Sequence, residues 1–347
     1  MTDVTSALVE SVGEYVRTNQ PVRIRGGDSK LFLGETMAPD LPVLDVSGHC
    51  GIVSYEPEEL VLRARCGTRI AELQSLLASE GQMLGFEPPD FDGVATLGGT
   101  IAAALSGPRR PWFGAARDFV LGAGIITGEA EHLSFGGQVM KNVAGFDVSR
   151  LTCGAMGTLG VITDVSLKVL PAPRAALTLA QELDAASAHR TMVAVAGQSL
   201  PVSATCWFGG RLYIRLSGSE AGVKAAAEKL GGEPAEDIWS DVMHLRLAGL
   251  PGAKYLWRVS VPQDSIEFLD RSAMIEWGGA QRWLVDPDFD PREGLDRGHA
   301  TLFKAPNDTT VSRFTPLSGE VLKLHGRLKK TFDPRDIFNP GRLYRGN

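Results

Sequence analysis

A chain of 347 residues, 44% hydrophobic and 22% charged, is long enough for two globular domains with a core each. Its net charge of −6 and its longest basic run, "RLKK", argue against nucleic acid as the main partner, because neutralising phosphates takes clustered Lys and Arg. No apolar run reaches the ~18 residues of a membrane-spanning helix, and the opening "MTDVTSALVESVGEYVRTNQ" has acids where a signal peptide is first basic and then apolar. Cys50, Cys66, Cys153 and Cys206 lie too far apart for an iron-sulfur or zinc site. The expectation is a cytoplasmic protein without direct membrane insertion, with inert thiols and no metal.

Leu8, Val9, Val12, Tyr15 and Val16 recur at the spacing of one helical face before Pro21, which predicts an opening helix. Short aliphatic and β-branched runs punctuated by glycine follow, "PVRIR", "LPVLDVSG", "GIVSY" and "LVLRARCG", and predict strands of a sheet. After Gly67, Thr68 is placed to cap "RIAELQSLLASEG", whose Ile70, Leu73, Leu76 and Leu77 form an apolar stripe and whose Gly81 can close it. From 88 to 162 glycine is dense and apolar residues fall in short groups, the pattern of loops joined to brief strands and helices. The strand Val161 to Leu170 ends at prolines, and a composition shift there puts a domain boundary near 171. Beyond it, strand "RAALTLA", helix "DAASAHRTMVAVAG", strands "VSATCWF" and "RLYIRLSG" and helix "SEAGVKAAAEKLGG" match most of a ferredoxin-like βαββαβ unit. "KYLWRVSVP", "AQRWLVD" and "ATLFKAP" predict further strands. A last helix puts Leu317, Val321, Leu324 and Leu328 on one face and stops at "DP", and the proline-punctuated tail after it is expected to pack back on a neighbour.

Three glycine-rich loops carry the chemistry. In "RIRGGDSKLFLG", consecutive backbone N–H groups after a strand can curl around an anionic oxygen, with Arg25 and Lys30 adding positive charge, although an ordinary turn would look the same. The loop is neither a Walker motif nor a G-x-G-x-x-G fingerprint. In "PPDFDGVATLGGTIAAALSGPRRPW", Thr96, Gly98, Gly99 and Thr100 precede a short apolar helix from Ile101 to Leu105 and let backbone approach a diphosphate; the alternative is that the glycines only permit tight packing. The stretch "VMKNVAGFDVSRLTCGAMGTLGVITDVSLKVLP" supplies a third, Gly154 to Gly160. Three such loops in order suit a large, flat ligand that bears phosphate and is gripped on several sides. Arg109, Arg110 and Arg117 nearby could face a phosphate, a carboxylate or solvent.

The series "RGGDSK", "PPDFDGVATLGGTIAAALSGPRRPWFGAARDFVLG", "GGQVMKNVAGFDVSRLTCGAMGTLGVITDVSLKVLP" and "FDPRDIFNPGRLY" resembles, nearly end to end, the FAD-binding flavoproteins of the PCMH or vanillyl-alcohol-oxidase-like type, and among them the FAD-binding subunits of bacterial glycolate oxidases. The resemblance implies an α+β fold, with a two-part PCMH-type FAD-binding domain over 1–170, a smaller ferredoxin-like α+β cap over 171–314, and a C-terminal helix and tail over 315–347 returning to the FAD domain. It implies that Arg25, Gly26, Gly27, Asp28, Ser29 and Lys30 hold the pyrophosphate of FAD, that Thr96, Leu97, Gly98, Gly99 and Thr100 wrap it further, and that Gly157, Thr158, Gly160, Val161 and Ile162 complete the grip, with Asn142 and Asp147 near the flavin.

The implied activity is oxidation of glycolate to glyoxylate, with hydride transfer to flavin and electrons passed to a larger FAD-binding subunit and an iron-sulfur subunit, any membrane contact being made through them. A 2-hydroxy acid needs an Arg or Lys clamp, for which Arg109, Arg110, Lys141 and Arg258 are candidates; no catalytic base is identified. Two features depart from relatives. The first loop has no histidine for covalent attachment, so FAD is expected to be dissociable, and His189, His244, His299 and His325 are too scattered for the histidine-rich motif of D-2-hydroxy acid dehydrogenases. A free-standing 2-hydroxy acid dehydrogenase and an assembly subunit with a vestigial flavin site are the alternatives.

Overall fold

The computed structural model describes residues 3–137, 147–247 and 249–344. The chain forms two compact units, one of Met1–Leu105, Ala115–Pro171 and Pro316–Asn347, the other of Ser106–Gly114 and Ala172–Thr315.

The first unit opens with helix α1 (Thr5–Thr18), which buries Leu8 and Val12 and ends where Asn19 turns into the left-handed region (φ 49°). Strands β1 (Arg23–Arg25) and β2 (Val43–Asp45) pair in parallel. Strands β3 (Ile52–Glu56) and β4 (Val61–Arg65) follow, then helix α2 (Ile70–Ser79). Ile70, Leu73 and Leu77 of α2 are fully buried, each contributing ~1.5–3 kcal/mol of transfer free energy. Thr68 does not cap α2: its hydroxyl, wholly buried, bonds Gly51 N at 2.9 Å, and Arg69 takes the cap position with extended backbone.

The short strand β5 (Gln82–Met83) precedes α3 (Leu97–Ala103), which starts four residues before the position that the sequence predicts, and α4 (Arg110–Phe113), which belongs to the second unit. Helix α5 (Ala116–Phe119) runs into strand β6 (Val120–Ile126), and β7 (His132–Gly136), α6 (Val148–Leu151), β8 (Val161–Lys168) and β9 (Leu170–Pro171) follow. An antiparallel sheet in the order β3-β4-β8-β6-β7 results, and β5 pairs with β9. As the middle strand of the five, β8 is buried on both faces, so Asp164 inside it is held by Arg63 Nε at 2.6 Å and by Thr163 Oγ1.

In the second unit, β10 (Ala175–Glu182), α7 (Ala185–Ala196), β11 (Val202–Phe208), β12 (Arg211–Gly218), α8 (Glu220–Leu230) and β13 (Glu233–Pro234) give the order β13-β10-β12-β11. That is the strand order of the ferredoxin-like unit. Asp184 and Ser219 cap its helices through bonds to Ser187 N and Gly222 N. After α9 (Trp239–Met243), strands β14 (Leu256–Ser260), β15 (Met274–Glu276), β16 (Gln281–Val285) and β17 (His299–Lys304) extend the sheet to eight strands in the order β13-β10-β12-β11-β15-β16-β14-β17.

Helix α10 (Gly319–Phe332) returns to the first unit and buries none of its residues: Val321 is 41% and Leu324 53% exposed. It is anchored at its last turn, where Lys329 Nζ donates to Thr158 O (2.8 Å), Phe338 O (3.0 Å) and the buried Asp333 carboxylate (2.8 Å).

Candidate functional site

A cleft in the first unit encloses about 770 Å³, its open mouth included. The strand ends position it. Strand β1 delivers Gly26, Gly27, Asp28, Ser29 and Lys30; α3 and the residue before it deliver Thr96, Gly98, Gly99, Ala102 and Ala103; the approach to β8 delivers Met156, Gly157, Gly160 and Ile162. Ile24, Val46, Met37 and Cys66 add apolar wall.

Several glycines are fixed by close approach within the chain. A Cβ on Gly27 would lie 1.8 Å from Val94 O, one on Gly26 2.4 Å from Thr96 Oγ1, and one on Gly98 2.7 Å from Cys66 Cβ. Leu97 and Gly98 donate their amides to Thr68 O and Cys66 O, both at 2.8 Å, so the start of α3 is spent on the turn after β4. A Cβ on Gly99, by contrast, would meet only Thr96 Oγ1, at 3.4 Å.

Polar groups at the cleft have capacity to spare. The Thr96 hydroxyl is buried, and among the described residues it has no hydrogen-bond partner; Thr100, predicted beside it, is equally buried and unbonded but does not line the cleft. Such a group costs ~1–3 kcal/mol unless something fills the vacancy. Lys30 Nζ touches Ser29 Oγ at 3.2 Å and sits 5.0 Å from the Phe91 ring centroid; burial pulls its pKa down to about 8, opposed by Asp90. Burial pushes the Cys66 thiol up to about 12, so it is not a thiolate at neutral pH. Bare backbone, an unbonded hydroxyl, the desolvated Lys30 ammonium and an apolar wall fit a large ligand with an anionic centre and a flat apolar part, as FAD is.

Two lining residues come from the tail and were not predicted. Asn339 Oδ1 accepts from Ile24 N at 2.8 Å and its Nδ2 donates to Met156 O at 2.7 Å, joining β1 to the third loop. Arg342, buried, donates to Glu35 O (2.9 Å), Leu31 O (2.9 Å) and Lys30 O (3.2 Å), holding the first loop from behind. The only sequence signal was the tail motif "FNPGRLY", which carries no residue type specific to a ligand.

Other predicted residues do not line the cleft. Arg25 pairs with Asp45 at 2.6 Å, Leu97 and Val161 are apolar core, and Thr158 Oγ1 donates to Ala155 O at 2.7 Å. Asp147 caps α6, accepting from Arg150 N at 3.2 Å and from Ser149 Oγ at 3.0 Å. Lys141 and Asn142 lie outside the described residues. In the second unit, Arg109 is buried with its guanidinium 5.3 Å from the Phe113 ring, and Arg110 stacks 4.3 Å from the Trp277 ring. Arg258 lies 5.6 Å from the Phe303 ring, its Nε shut off from solvent. Of the histidines, His189 is a satisfied core residue bonded to Gln263 O at 2.6 Å, His244 bonds Ser240 O, and His325 belongs to the first unit, edge-to-face with Tyr344 at 5.6 Å between ring centroids.

Comparison with known proteins agrees with this architecture. Residues 4–136 match the family described as FAD binding domain. The chain is 46% identical over 350 residues to glycolate oxidase subunit GlcE of Escherichia coli (strain K12), covering 99% of this chain and 98% of that one. It is 29% identical over 191 residues to glycolate oxidase subunit GlcD of Bacillus subtilis (strain 168), covering 54% of this chain and 39% of that one. Solved alkyldihydroxyacetonephosphate synthase superposes with a TM-score of 0.67 over 96% of this chain and 74% of its own at 16% identity, a likeness of fold alone. The PCMH-type architecture, the FAD-binding region and the end-to-end identity together show that the chain belongs to the GlcE family of glycolate oxidase subunits, FAD-dependent oxidoreductases by descent.

Proposed function

We propose that the chain is the FAD-carrying subunit of a glycolate oxidase and works in a complex with a larger FAD-binding subunit and an iron-sulfur subunit. The end-to-end similarity to GlcE carries this reading. FAD is held without a covalent bond in the cleft, in keeping with the protonated Cys66 thiol and a first loop, Arg25 to Lys30, that lacks histidine.

Lys30 and the backbone of Gly26, Gly27 and Ser29 take the pyrophosphate, while the Thr96 hydroxyl finds in the ligand the partner it lacks. Asn339 and Arg342 position the first loop rather than touch chemistry, and Ala102, Ala103, Met156 and Ile162 exclude water. When bound, FAD supplies the two-electron acceptor for a hydride from a carbon bearing a hydroxyl. Glycolate loses the Cα hydride and the hydroxyl proton and becomes glyoxylate; the electrons leave through the partner subunits.

The purified chain should carry about one FAD, released on denaturation and visible between roughly 350 and 500 nm. In the assembled complex without oxygen, glycolate should bleach that band. A colourless chain that cannot be reconstituted overturns the cofactor assignment. Bleaching of the isolated chain as fast as of the complex would mean a free-standing dehydrogenase.

A further inference from the structure

The first half of helix α10 projects its apolar side chains into solvent. The helix runs for 14 residues, in the ~12–15-residue range where a helix in water is marginal without tertiary packing. Gly326 sits inside it with nothing within 4 Å of where a Cβ would stand, and an interior glycine costs ~0.5–1 kcal/mol relative to alanine. Yet none of the helix's residues is buried. Val321, Leu324 and Leu328 fall at i, i+3 and i+7 on one side; the first two are exposed, as is Leu322, and Leu328 is half-buried. That spacing is the one by which an amphipathic helix anchors itself in another protein's groove.

Charge and attachment narrow what covers it. In a chain of net charge −6, α10 holds Lys323, Arg327, Lys329 and Lys330 against a single carboxylate, Glu320. Lys329 is taken up by its bonds to Thr158 O, Phe338 O and Asp333, and Lys323 meets Glu320 at 2.9 Å in an exposed pair of little worth. Lys323, Arg327 and Lys330 recur at i, i+4 and i+7, a row of exposed cations alongside the apolar row. Such a helix is complementary to an apolar groove with an acidic rim. Its anchored end adjoins the cleft: Thr158 lies between the lining residues Gly157 and Gly160, and the tail after α10 carries Asn339 and Arg342 into the cleft wall. From that anchor the helix reaches ~20 Å, so a protein held by α10 is brought close to the cofactor's cleft, where a subunit that takes electrons from flavin has to approach.

We infer that α10 is the docking helix for the larger FAD-binding subunit of the proposed complex. Val321, Leu324 and Leu328 enter an apolar groove of that subunit, and carboxylates on the groove's rim meet Lys323, Arg327 and Lys330. The docking face stands on the exposure, the interior glycine and the charge of α10; the identity of its occupant rests on the proposed function.

Hydrogen exchange read by mass spectrometry on the full-length chain, alone and coexpressed with the larger subunit, tests this. Amides of residues 322–328 should exchange readily in the isolated chain and about tenfold or more slowly in the complex. Combining Val321→Asp with Leu324→Asp, both at exposed positions, should leave flavin content and unfolding midpoint unchanged and weaken assembly about tenfold or more. Combining Lys323→Glu with Arg327→Glu should also weaken assembly and remove most of its dependence on salt. If the apolar double variant assembles as well as the wild type and the larger subunit leaves 322–328 unprotected, the docking face is overturned and the proposed complex stands. A wild type that does not assemble with the larger subunit overturns both. Protection of 322–328 by phosphatidylglycerol vesicles, or by concentrating the chain alone, with none from the larger subunit, would give the face to a membrane or to a second copy and overturn the inference.

Discussion

Lys30 is a desolvated cation of the cleft, and it makes FAD affinity depend on pH in a calculable way. Its pKa falls from the ordinary 10.5 to about 8, which corresponds to ~3 kcal/mol against the ammonium. A bound diphosphate reverses that bias, because the complex keeps the proton to higher pH. Below pH 8 Lys30 is charged with and without ligand and affinity is flat. Above it the free chain has released a proton that the complex must recover, so affinity falls as pH rises, approaching tenfold per pH unit. Linkage fixes the proton uptake on binding at about 0.1 at pH 7, about 0.5 at pH 8 and about 0.9 at pH 9.

Calorimetric titration of the apoprotein with FAD, repeated in two buffers of different ionisation enthalpy at each pH, reads that uptake directly. Lys30→Met should abolish the uptake and weaken FAD by ~1.5–3 kcal/mol, the worth of one charge-assisted hydrogen bond, or roughly 10–150-fold. Zero uptake by the wild type at pH 8, or equal affinity in the variant, would refute the placement of the phosphates beside Lys30.

Two further substitutions separate folding from ligand binding. Gly27→Ala puts a Cβ 1.8 Å from Val94 O and should cost the apoprotein ~1–3 kcal/mol in denaturant unfolding; Gly99→Ala, inside α3 and facing only Thr96 Oγ1, should gain it ~0.5–1 kcal/mol while FAD affinity falls. Thr96→Val removes a buried hydroxyl that has no partner in the chain, so apoprotein stability should hold or rise while FAD weakens by ~0.5–1.5 kcal/mol in equilibrium titration; an equal loss of stability would mean that the hydroxyl serves the fold.

Those contrasts bear on what the sequence could convey. Periodicity reports which face of an element is apolar, and it found α1, α2 and the strand-helix-strand-strand-helix run from β10 to α8 because their cores are built from such faces; the short closing strand β13 was not among them. It could not find β6, whose Gly122 and Gly124 interrupt the strand pattern; a Cβ there would come 2.8 Å from Gly137 O and 2.4 Å from Asp164 Oδ2. Nor does periodicity know what covers a stripe, and the apolar face expected on α10 is exposed. Asn339, 315 residues from Ile24, was out of reach because a hydrogen bond across that separation leaves no local pattern.

The glycine-rich run before β8 is the sharpest case. It reads as backbone bared for a ligand, yet a Cβ on Gly157 would lie 2.7 Å from Asn339 Nδ2 and one on Gly160 2.7 Å from Ile126 O. Both glycines also line the cleft. The chain therefore needs them bare in order to close on itself, and the ligand site follows from that closure. A glycine run records close approach by something, and only the neighbours of each missing Cβ say whether that is another strand or a cofactor. By that criterion Gly99, where a Cβ would meet only Thr96 Oγ1 at 3.4 Å, is the position where the absence of a side chain speaks for a ligand, and Gly27, against Val94, is one where it speaks for the fold.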